Sequence, residues 1–117
     1  MAADFSKEIA AGHVVVIEMN DGVCGYMIGW PEADAYFIES IAVDPAHQRG
    51  GLGRRLIDHA ADEAKLHHLS ATRLYTNVAM TENLSMYAHM GFVETHRGIE
   101  DGFHRVYLRW SRVRQDK

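Results

Sequence analysis

Apolar and polar positions in the first half of the chain follow the pattern of strands. Asn20-Asp21-Gly22 is a strong hairpin turn between two apolar runs, and Pro31-Glu32-Ala33-Asp34 forms a second turn before the next run. Asp44-Pro45 ends that run, because proline does not continue a strand ladder. The pattern therefore predicts an antiparallel meander of three strands, at 13–19, 23–30 and 35–43.

The pattern changes to that of a helix after residue 50. Apolar residues recur every four positions at Leu52, Leu56, Ala60 and Ala64, while charged side chains occupy most of the other positions. This predicts one amphipathic helix from Gly51 to about Leu66. A crossover helix connects parallel neighbours, so the next strand, 72–76, should lie parallel to the third one in a βαβ unit.

A short helix and a hairpin are predicted after this unit. Thr81 is the expected N-cap, and Gly91 ends the helix, whose apolar face holds Leu84, Tyr87 and Ala88. Two strands then form a closing hairpin around Glu100-Asp101-Gly102. Their ranges are 92–97 and 103–110, and the inward positions are Val106, Leu108 and Trp110.

At the start of the chain, Phe5 and Ile9 stand at helical spacing, which predicts the tail of a helix over 3–11 that Gly12 ends. The elements together predict a mixed α/β fold of the α+β class around one central sheet. At 117 residues the chain is expected to form a single domain over 1–117, with a frayed tail at 113–117.

Charge and cysteine content narrow the classes of function. Lysines and arginines number 12 against 16 acidic residues, a net charge of -4, so no basic field indicates nucleic acid or an anionic membrane. Cys24 is the single cysteine, which excludes an internal disulfide and a CxxC motif. The start lacks the pattern of a signal peptide, and no apolar run approaches the roughly 20 residues that a bilayer requires. We therefore expect a soluble, cytoplasmic protein without a nucleic-acid or membrane partner.

The candidate chemistry begins at the turn Gln48-Arg49-Gly50-Gly51-Leu52-Gly53, between the third strand and the amphipathic helix. Backbone N–H groups in the first turn of a helix have no partner within the helix, and the helix dipole makes that end partly positive. Glycines lack a Cβ, so a phosphate can approach the backbone closely. The turn is therefore a candidate anion cradle.

With its flanking segments, this turn resembles the GNAT superfamily of acyl-coenzyme A dependent N-acetyltransferases. The resemblance covers about residues 13–110, and its motifs are Ile41-Ala42-Val43-Asp44-Pro45, Gln48-x-x-Gly51-x-Gly53, Asn83-x-x-x-Tyr87 and Gly91-Phe92. The phosphate turn is specific only because it follows a strand and opens an amphipathic helix. A nicotinamide dinucleotide site would need Gly-x-Gly-x-x-Gly after the first strand, and that spacing does not occur here.

The resemblance implies a GNAT-like fold in which strands 35–43 and 72–76 splay apart at one end to admit acetyl-coenzyme A. Its pyrophosphate would lie on backbone N–H groups of the glycine turn, and its pantetheine would pair along the strand before it. The eight histidines show neither HExxH nor a paired ligand spacing, so no metal site is expected. The cofactor-binding residues would be Ile41, Ala42, Val43, Gln48, Arg49, Gly50, Gly51, Leu52, Gly53, Arg54, Asn83 and Tyr87.

Two residues are candidates for catalysis. By resemblance, Tyr87 would protonate the leaving thiolate of coenzyme A; the alternative is a buried tyrosine that packs on Leu84. Glu39 would take the proton of the attacking amine, directly or through water, because an alkylammonium has a pKa of about 10.4; the alternative is a strand residue that faces solvent or pairs with an arginine. Cys24 is expected to be a packed thiol rather than an acyl carrier.

The leading interpretation is an enzyme that moves an acetyl group from acetyl-coenzyme A to a primary amine of a small molecule or peptide, by direct attack in a ternary complex. Family members usually place another strand and two helices before the first hairpin, where this chain has only 3–11. We therefore expect a homodimer in which a partner covers the exposed edge or the acceptor side. The alternative is a catalytically inactive coenzyme A sensor that lacks the acceptor wall.

Overall fold

The computed structural model describes residues 5–9, 13–19 and 22–111. None of the helices in these ranges is long and apolar enough to cross a membrane. The elements in chain order are β1 (Phe5–Ile9), β2 (Val14–Met19), β3 (Gly22–Glu32), β4 (Ala35–Val43), a 3₁₀ helix (Pro45–Gly50), α1 (Leu52–Leu66), β5 (Ala71–Asn77), α2 (Thr81–His89), β6 (Val93–Glu100) and β7 (Phe103–Ser111).

The strands form one sheet in the order β1-β2-β3-β4-β5-β7-β6. Strands β1 to β4 are antiparallel neighbours, and β4 pairs with β5 in parallel across the α1 crossover. The closing hairpin inserts β7 between β5 and β6, antiparallel to both. The predicted meander, βαβ unit, closing hairpin and α+β class are confirmed.

The core lies between α1 and one face of the sheet. Leu56 and Ala60 of α1 are 1% and 0% exposed, and they belong to one buried cluster with Met27, Ile38 and Leu74 of the sheet. The four-residue spacing of the apolar positions puts them on one side of the helix. Truncating a buried leucine to alanine costs roughly 2–5 kcal/mol, so this face holds α1 firmly against β4.

The prediction of a helix tail over 3–11 is wrong, because residues 5–9 form β1 and pair antiparallel with β2. The spacing of Phe5 and Ile9 fits one face of a strand as well as one face of a helix. A helix of nine residues is marginal by itself, whereas a strand gains backbone hydrogen bonds along β2. The strand expected to be missing before the first hairpin is therefore present. Other predictions at Gly12, Asn20, Asp21 and the tail 113–117 lie outside the described residues.

The β3–β4 turn is shorter than predicted. Pro31 still belongs to β3 and stands opposite Tyr36, so the turn itself consists of Ala33 and Asp34. Ala33 takes a left-handed backbone conformation with φ 57°. This tight turn brings Glu32 and Asp34 to the end of the β3–β4 hairpin.

The start of α2 also differs from the prediction. Met80, not Thr81, occupies the N-cap, and no side chain described in the structure caps this end. The side-chain oxygen of Asn77 instead accepts a hydrogen bond from the N–H of Ala79 at 2.8 Å, and this Asx turn closes the loop before the helix. Gly91 ends the helix as predicted, with φ 98°. Of the three predicted apolar positions of α2, Leu84 and Tyr87 pack on the core while Ala88 is exposed.

Candidate functional site

The two central strands pair over only part of their length. The parallel register joins Tyr36 with Thr72, Phe37 with Arg73, and Ile38 with Leu74, and it stops there. Beyond that point β4 continues along β3 to residue 43, and β5 continues along β7 to residue 77. The strands therefore splay apart as predicted.

Glu39 is the extra residue of a bulge at the start of this gap. On β3, Ile28 and Gly29 are adjacent, but their partners on β4 are Ser40 and Ile38, so Glu39 has no residue opposite it. A Cβ at Gly29 would stand 2.7 Å from the carbonyl oxygen of Phe37, and therefore only glycine lets β3 approach β4 beside the bulge. The result is an exposed carboxylate residue at the point where the gap opens.

A cleft of about 400 Å³ adjoins the gap, with walls from β4, the start of α1, and α2. Six of the predicted cofactor residues line it: Ile41, Ala42, Val43, Gly53, Asn83 and Tyr87. Three lining residues were not predicted: Met80, Glu82 and Met86. The helical spacing of Met80 to Asn83 and of Asn83 to Met86, three positions in each case, could have identified two of them from the sequence.

The predicted anion cradle is a helix N-terminus that follows one left-handed residue. Gly51, with φ 78°, ends the 3₁₀ helix and stands at the N-cap of α1, whose first turn holds no acidic residue. Helix geometry leaves the N–H groups of Leu52, Gly53 and Arg54 without an acceptor in the helix. A Cβ at Gly50 or Gly51 would meet nothing within 4 Å, so the space over the turn is open. These features fit a phosphate group.

The other predicted cofactor residues are placed differently. Leu52 is 3% exposed and packs in the core, so only its backbone can face a ligand. Arg54 is exposed, with its Nε 3.8 Å from Oδ1 of Asp58, and it is not among the residues that line the cleft. The side chains of Gln48 and Arg49 lie outside the described part of the chain.

Tyr87 both packs in the core and lines the cleft. It is 4% exposed, and its ring meets that of Phe92 edge-on with 5.6 Å between the ring centroids. Burial raises the pKa of the Tyr87 phenol to about 12, because the ionised form would lose its hydration. The phenol is therefore protonated at neutral pH and can donate a hydrogen bond.

Cys24 is a packed thiol, as predicted. It is 2% exposed, its Sγ donates to the carbonyl oxygen of Gly22 at 3.3 Å, and it does not line the cleft. Within residues 5–9, 13–19 and 22–111, no three His, Cys, Asp or Glu side chains form a group that could hold a metal ion. The arrangement offers a phosphate cradle, an edge of β4, a buried phenol and an exposed carboxylate around one gap.

Comparison with known proteins identifies a matching family and a curated relative. The sequence model of a family described as "Acetyltransferase (GNAT) domain" matches residues 10–94. The ribosomal protein bS18-alanine N-acetyltransferase of Escherichia coli strain K12 is 30% identical over 78 residues, which are 67% of this chain and 53% of that protein. The chain thus spans about half the length of the curated relatives that it matches.

Solved structures share the fold at lower identity. The ribosomal-protein-S18-alanine N-acetyltransferase from Escherichia coli superposes with a TM-score of 0.73 at 23% identity, over 89% of this chain and 71% of that one. A GNAT family acetyltransferase from Elizabethkingia anophelis with acetyl-CoA bound gives a TM-score of 0.71 at 20% identity, over 84% of this chain and 74% of that one. At these identities the likeness establishes the fold.

Proposed function

Because this chain belongs to the GNAT acetyltransferase family, we propose that it transfers the acetyl group of acetyl-coenzyme A to a primary amine by direct attack in a ternary complex. One observation carries the proposal: β4 and β5 part after Ile38 and Leu74, with Glu39 at the opening and a cleft lined by Tyr87 beside it. The donor and the acceptor can meet in this gap because β4 and β5 are no longer paired there.

The donor side is formed by backbone more than by charged side chains. The N–H groups of Leu52 to Arg54 at the start of α1 would bind the pyrophosphate, which the open space over Gly50 and Gly51 supports. Pantetheine carries amides, so it would pair with the edge of β4 along Ile41 to Val43 as an added strand. Asn83, on the wall of the cleft, would hold it from the side of α2.

Acetyl-coenzyme A supplies the acetyl group as a thioester, which an amine attacks only in its neutral form. Glu39 would take the proton from the ammonium, directly or through one water. Its place in the bulge supports this role, because a bulge re-aims a side chain and Glu39 directly follows the last residue of β4 that pairs with β5.

Tyr87 would act on the leaving sulfur as a hydrogen-bond donor. A phenol with a pKa of about 12 is a much weaker acid than a thiol with a pKa of about 8.5. Full transfer of the proton would be uphill by roughly 5 kcal/mol before any contact with the thiolate is counted. A hydrogen bond from the protonated phenol stabilises the developing negative charge without that cost, and the proton can then reach the sulfur from solvent.

Direct attack is favoured over an acyl-enzyme route, because the buried Cys24 lies on β3 outside the lining of the cleft. For the acceptor, we propose an amine of a peptide or small molecule. The α-amine of a protein N-terminus is the first candidate, since the curated relative at 30% identity is an alanine N-acetyltransferase of a ribosomal protein.

The test combines donor binding with turnover. Acetyl-coenzyme A should raise the melting temperature of the chain, and a panel of peptide N-termini, amino acids, polyamines and aminoglycosides should include one amine that releases free thiol. No thermal shift with any coenzyme A ligand would refute the donor site. A shift without thiol release from any amine would favour the alternative of a coenzyme A sensor.

A further inference from the structure

The sheet face turned away from α1 and α2 carries a separate charged pocket. Arg73, Tyr107 and Arg109 alternate along β5 and β7 with the buried Leu74 and Leu108, so they lie on the opposite face from the core. The pocket has a volume of about 300 Å³, and Thr95 and His96 of β6 complete its polar lining. We propose that it binds a doubly charged oxyanion, inorganic phosphate or a small phosphate monoester, independently of acetyl transfer.

Strand register places the two arginines of this pocket on neighbouring strands. Arg73 and Arg109 are direct partners in the antiparallel β5–β7 pair, and like charges directly opposite each other destabilise a sheet. The β3–β4 hairpin supplies one carboxylate to each: Nη2 of Arg73 lies 3.0 Å from Oε1 of Glu32, and Nη2 of Arg109 lies 3.0 Å from Oδ2 of Asp34. Two positive charges at adjacent positions match one dianion as well as they match two separate carboxylates.

The carboxylates are the more exchangeable partners. Side-chain exposure is 50% for Glu32 and 74% for Asp34, against 31% for Arg73 and 32% for Arg109. Exposed ion pairs contribute little to stability, so the side chains of Glu32 and Asp34 can move into water at small cost. The guanidinium of Arg73 stays against the sheet, 5.0 Å from the ring centroid of Phe37. Arginine forks then present paired N–H donors in the geometry that phosphate oxygens accept.

Thr95 and His96 add a third, oriented group. The hydroxyl of Thr95 donates its one proton to the carbonyl oxygen of Tyr107 at 3.2 Å. Nδ1 of His96 lies 2.9 Å from the same hydroxyl oxygen, and this hydrogen bond orients the imidazole. The imidazole also stacks on the ring of Tyr107 at 4.2 Å with an interplanar angle of 6°. Because Nδ1 is engaged by Thr95, Nε2 is the ring nitrogen left to meet a ligand.

Isothermal titration of sodium phosphate into the full chain tests this proposal. Titrations with and without saturating coenzyme A separate this pocket from the cradle at the start of α1, and sodium chloride at matched ionic strength gives the reference. We expect millimolar binding that Arg73→Gln and Arg109→Gln each weaken at least tenfold. Arg97→Gln is the matched control, since its guanidinium pairs with Glu94 on β6 outside this pocket, and it should bind as the unaltered chain does.

A variant that should raise phosphate affinity distinguishes a binding site from a merely structural ion-pair cluster. Combining Glu32→Gln with Asp34→Asn removes the competing carboxylates, so phosphate affinity should rise about tenfold. Equal heats in phosphate and chloride, equal losses of affinity in Arg97→Gln and Arg73→Gln, or no gain of affinity in the double variant would each overturn the proposal.

Arg109→Lys keeps the charge but loses the two-pronged guanidinium, and intermediate phosphate affinity is expected from it if Arg109→Gln fails to fold. If coenzyme A does not bind, the proposed function fails, while the comparison of Arg73→Gln with Arg97→Gln still decides the phosphate site.

Discussion

Ile38 of β4 and Leu74 of β5 form the last pair of the parallel central strands. Both side chains belong to the buried cluster against α1, at 2% and 3% exposure, so the core closes the sheet up to this pair. The next residues along the two strands, Glu39 and Tyr75, already stand on either side of the gap. This pair therefore fixes the position at which donor and acceptor would meet.

Replacing Glu39 with glutamine should lower kcat/KM for the amine about a hundredfold at pH 7, because the positioned proton acceptor is lost. The defect should shrink as the pH rises toward the acceptor's own pKa, about 8 for an α-amine and about 10.4 for an alkylamine, where the neutral nucleophile forms without help. Glu94→Gln, at an exposed carboxylate on β6, is the control for the loss of one charge. Parallel pH–rate profiles for the two variants would remove Glu39 as the base.

Replacing Tyr87 with phenylalanine keeps the ring packing against Phe92 and removes only the hydroxyl. Loss of one preorganised hydrogen bond to the departing sulfur should lower kcat about ten- to a hundredfold under chemistry-limited conditions. The Kd of acetyl-coenzyme A, measured by titration, should change much less. An unchanged single-turnover rate would leave Tyr87 with its packing role alone.

The same variant should alter stability at high pH. Burial raises the Tyr87 pKa from 10.0 to about 12, so the folded chain holds this proton more tightly than the unfolded chain does. Its contribution is fully present below pH 10 and is lost as the pH rises through 12, by about 3 kcal/mol in total. The free energy of unfolding, measured with denaturant between pH 9 and 12, should therefore fall less steeply with pH for Tyr87→Phe than for the unaltered chain. Equal slopes would contradict the raised pKa.

Gly51→Ala and Gly102→Ala form a matched pair. Both glycines have a left-handed backbone, φ 78° and 82°, and a Cβ at either would meet nothing within 4 Å. Each substitution should therefore lower the free energy of unfolding by a similar amount, about 1–2 kcal/mol. Only the Cβ at Gly51 would occupy the space where a phosphate approaches α1, so only Gly51→Ala should weaken acetyl-coenzyme A binding, by tenfold or more in a titration. Equal affinities of the two variants would refute the cradle.

The homodimer stays a prediction, and β6 is the edge that we expect to form it. This strand is the last in the described sheet order, and its Val93 and Ile99 are each 65% exposed. Exposed edges with apolar side chains favour pairing with another chain. Light scattering at micromolar concentration should give a dimer mass, and Ile99→Lys should reduce it to that of a monomer. Val23→Lys, at a β3 residue that is 56% exposed, is the control. A monomer mass for the unaltered chain would contradict the prediction.

Much of the fold could be predicted because its elements follow from local rules. The four-residue period of Leu52, Leu56, Ala60 and Ala64 determines the buried face of α1, and the glycine at 51 marks where the helix starts. The β4 boundaries at 35 and 43 agree with the prediction because Asp44-Pro45 interrupts the strand. Six of the predicted cofactor residues line one cleft, since the motifs that carry them sit at the ends of these elements.

Local rules failed where a neighbour in space decides the outcome. Residues 5–9 form a strand because β2 offers backbone hydrogen bonds, which the spacing of two apolar residues does not reveal. The β3–β4 hairpin supplies the carboxylates of Glu32 and Asp34 to arginines on β5 and β7, 41 and 75 residues away along the chain. Sequence separation of this size leaves no periodicity to detect.

The sequence by itself determined the order of the elements from β2 onward, the amphipathic face of α1 and the glycine turn before it, because these depend on side-chain period and on the backbone freedom of single residues. Only the tertiary structure decided the bulge at Glu39, the end of β4–β5 pairing at Ile38 and Leu74, and the opposition of Arg73 and Arg109. Each of these is a matter of register between strands. Register depends on backbone hydrogen bonds between distant segments, which no local pattern specifies.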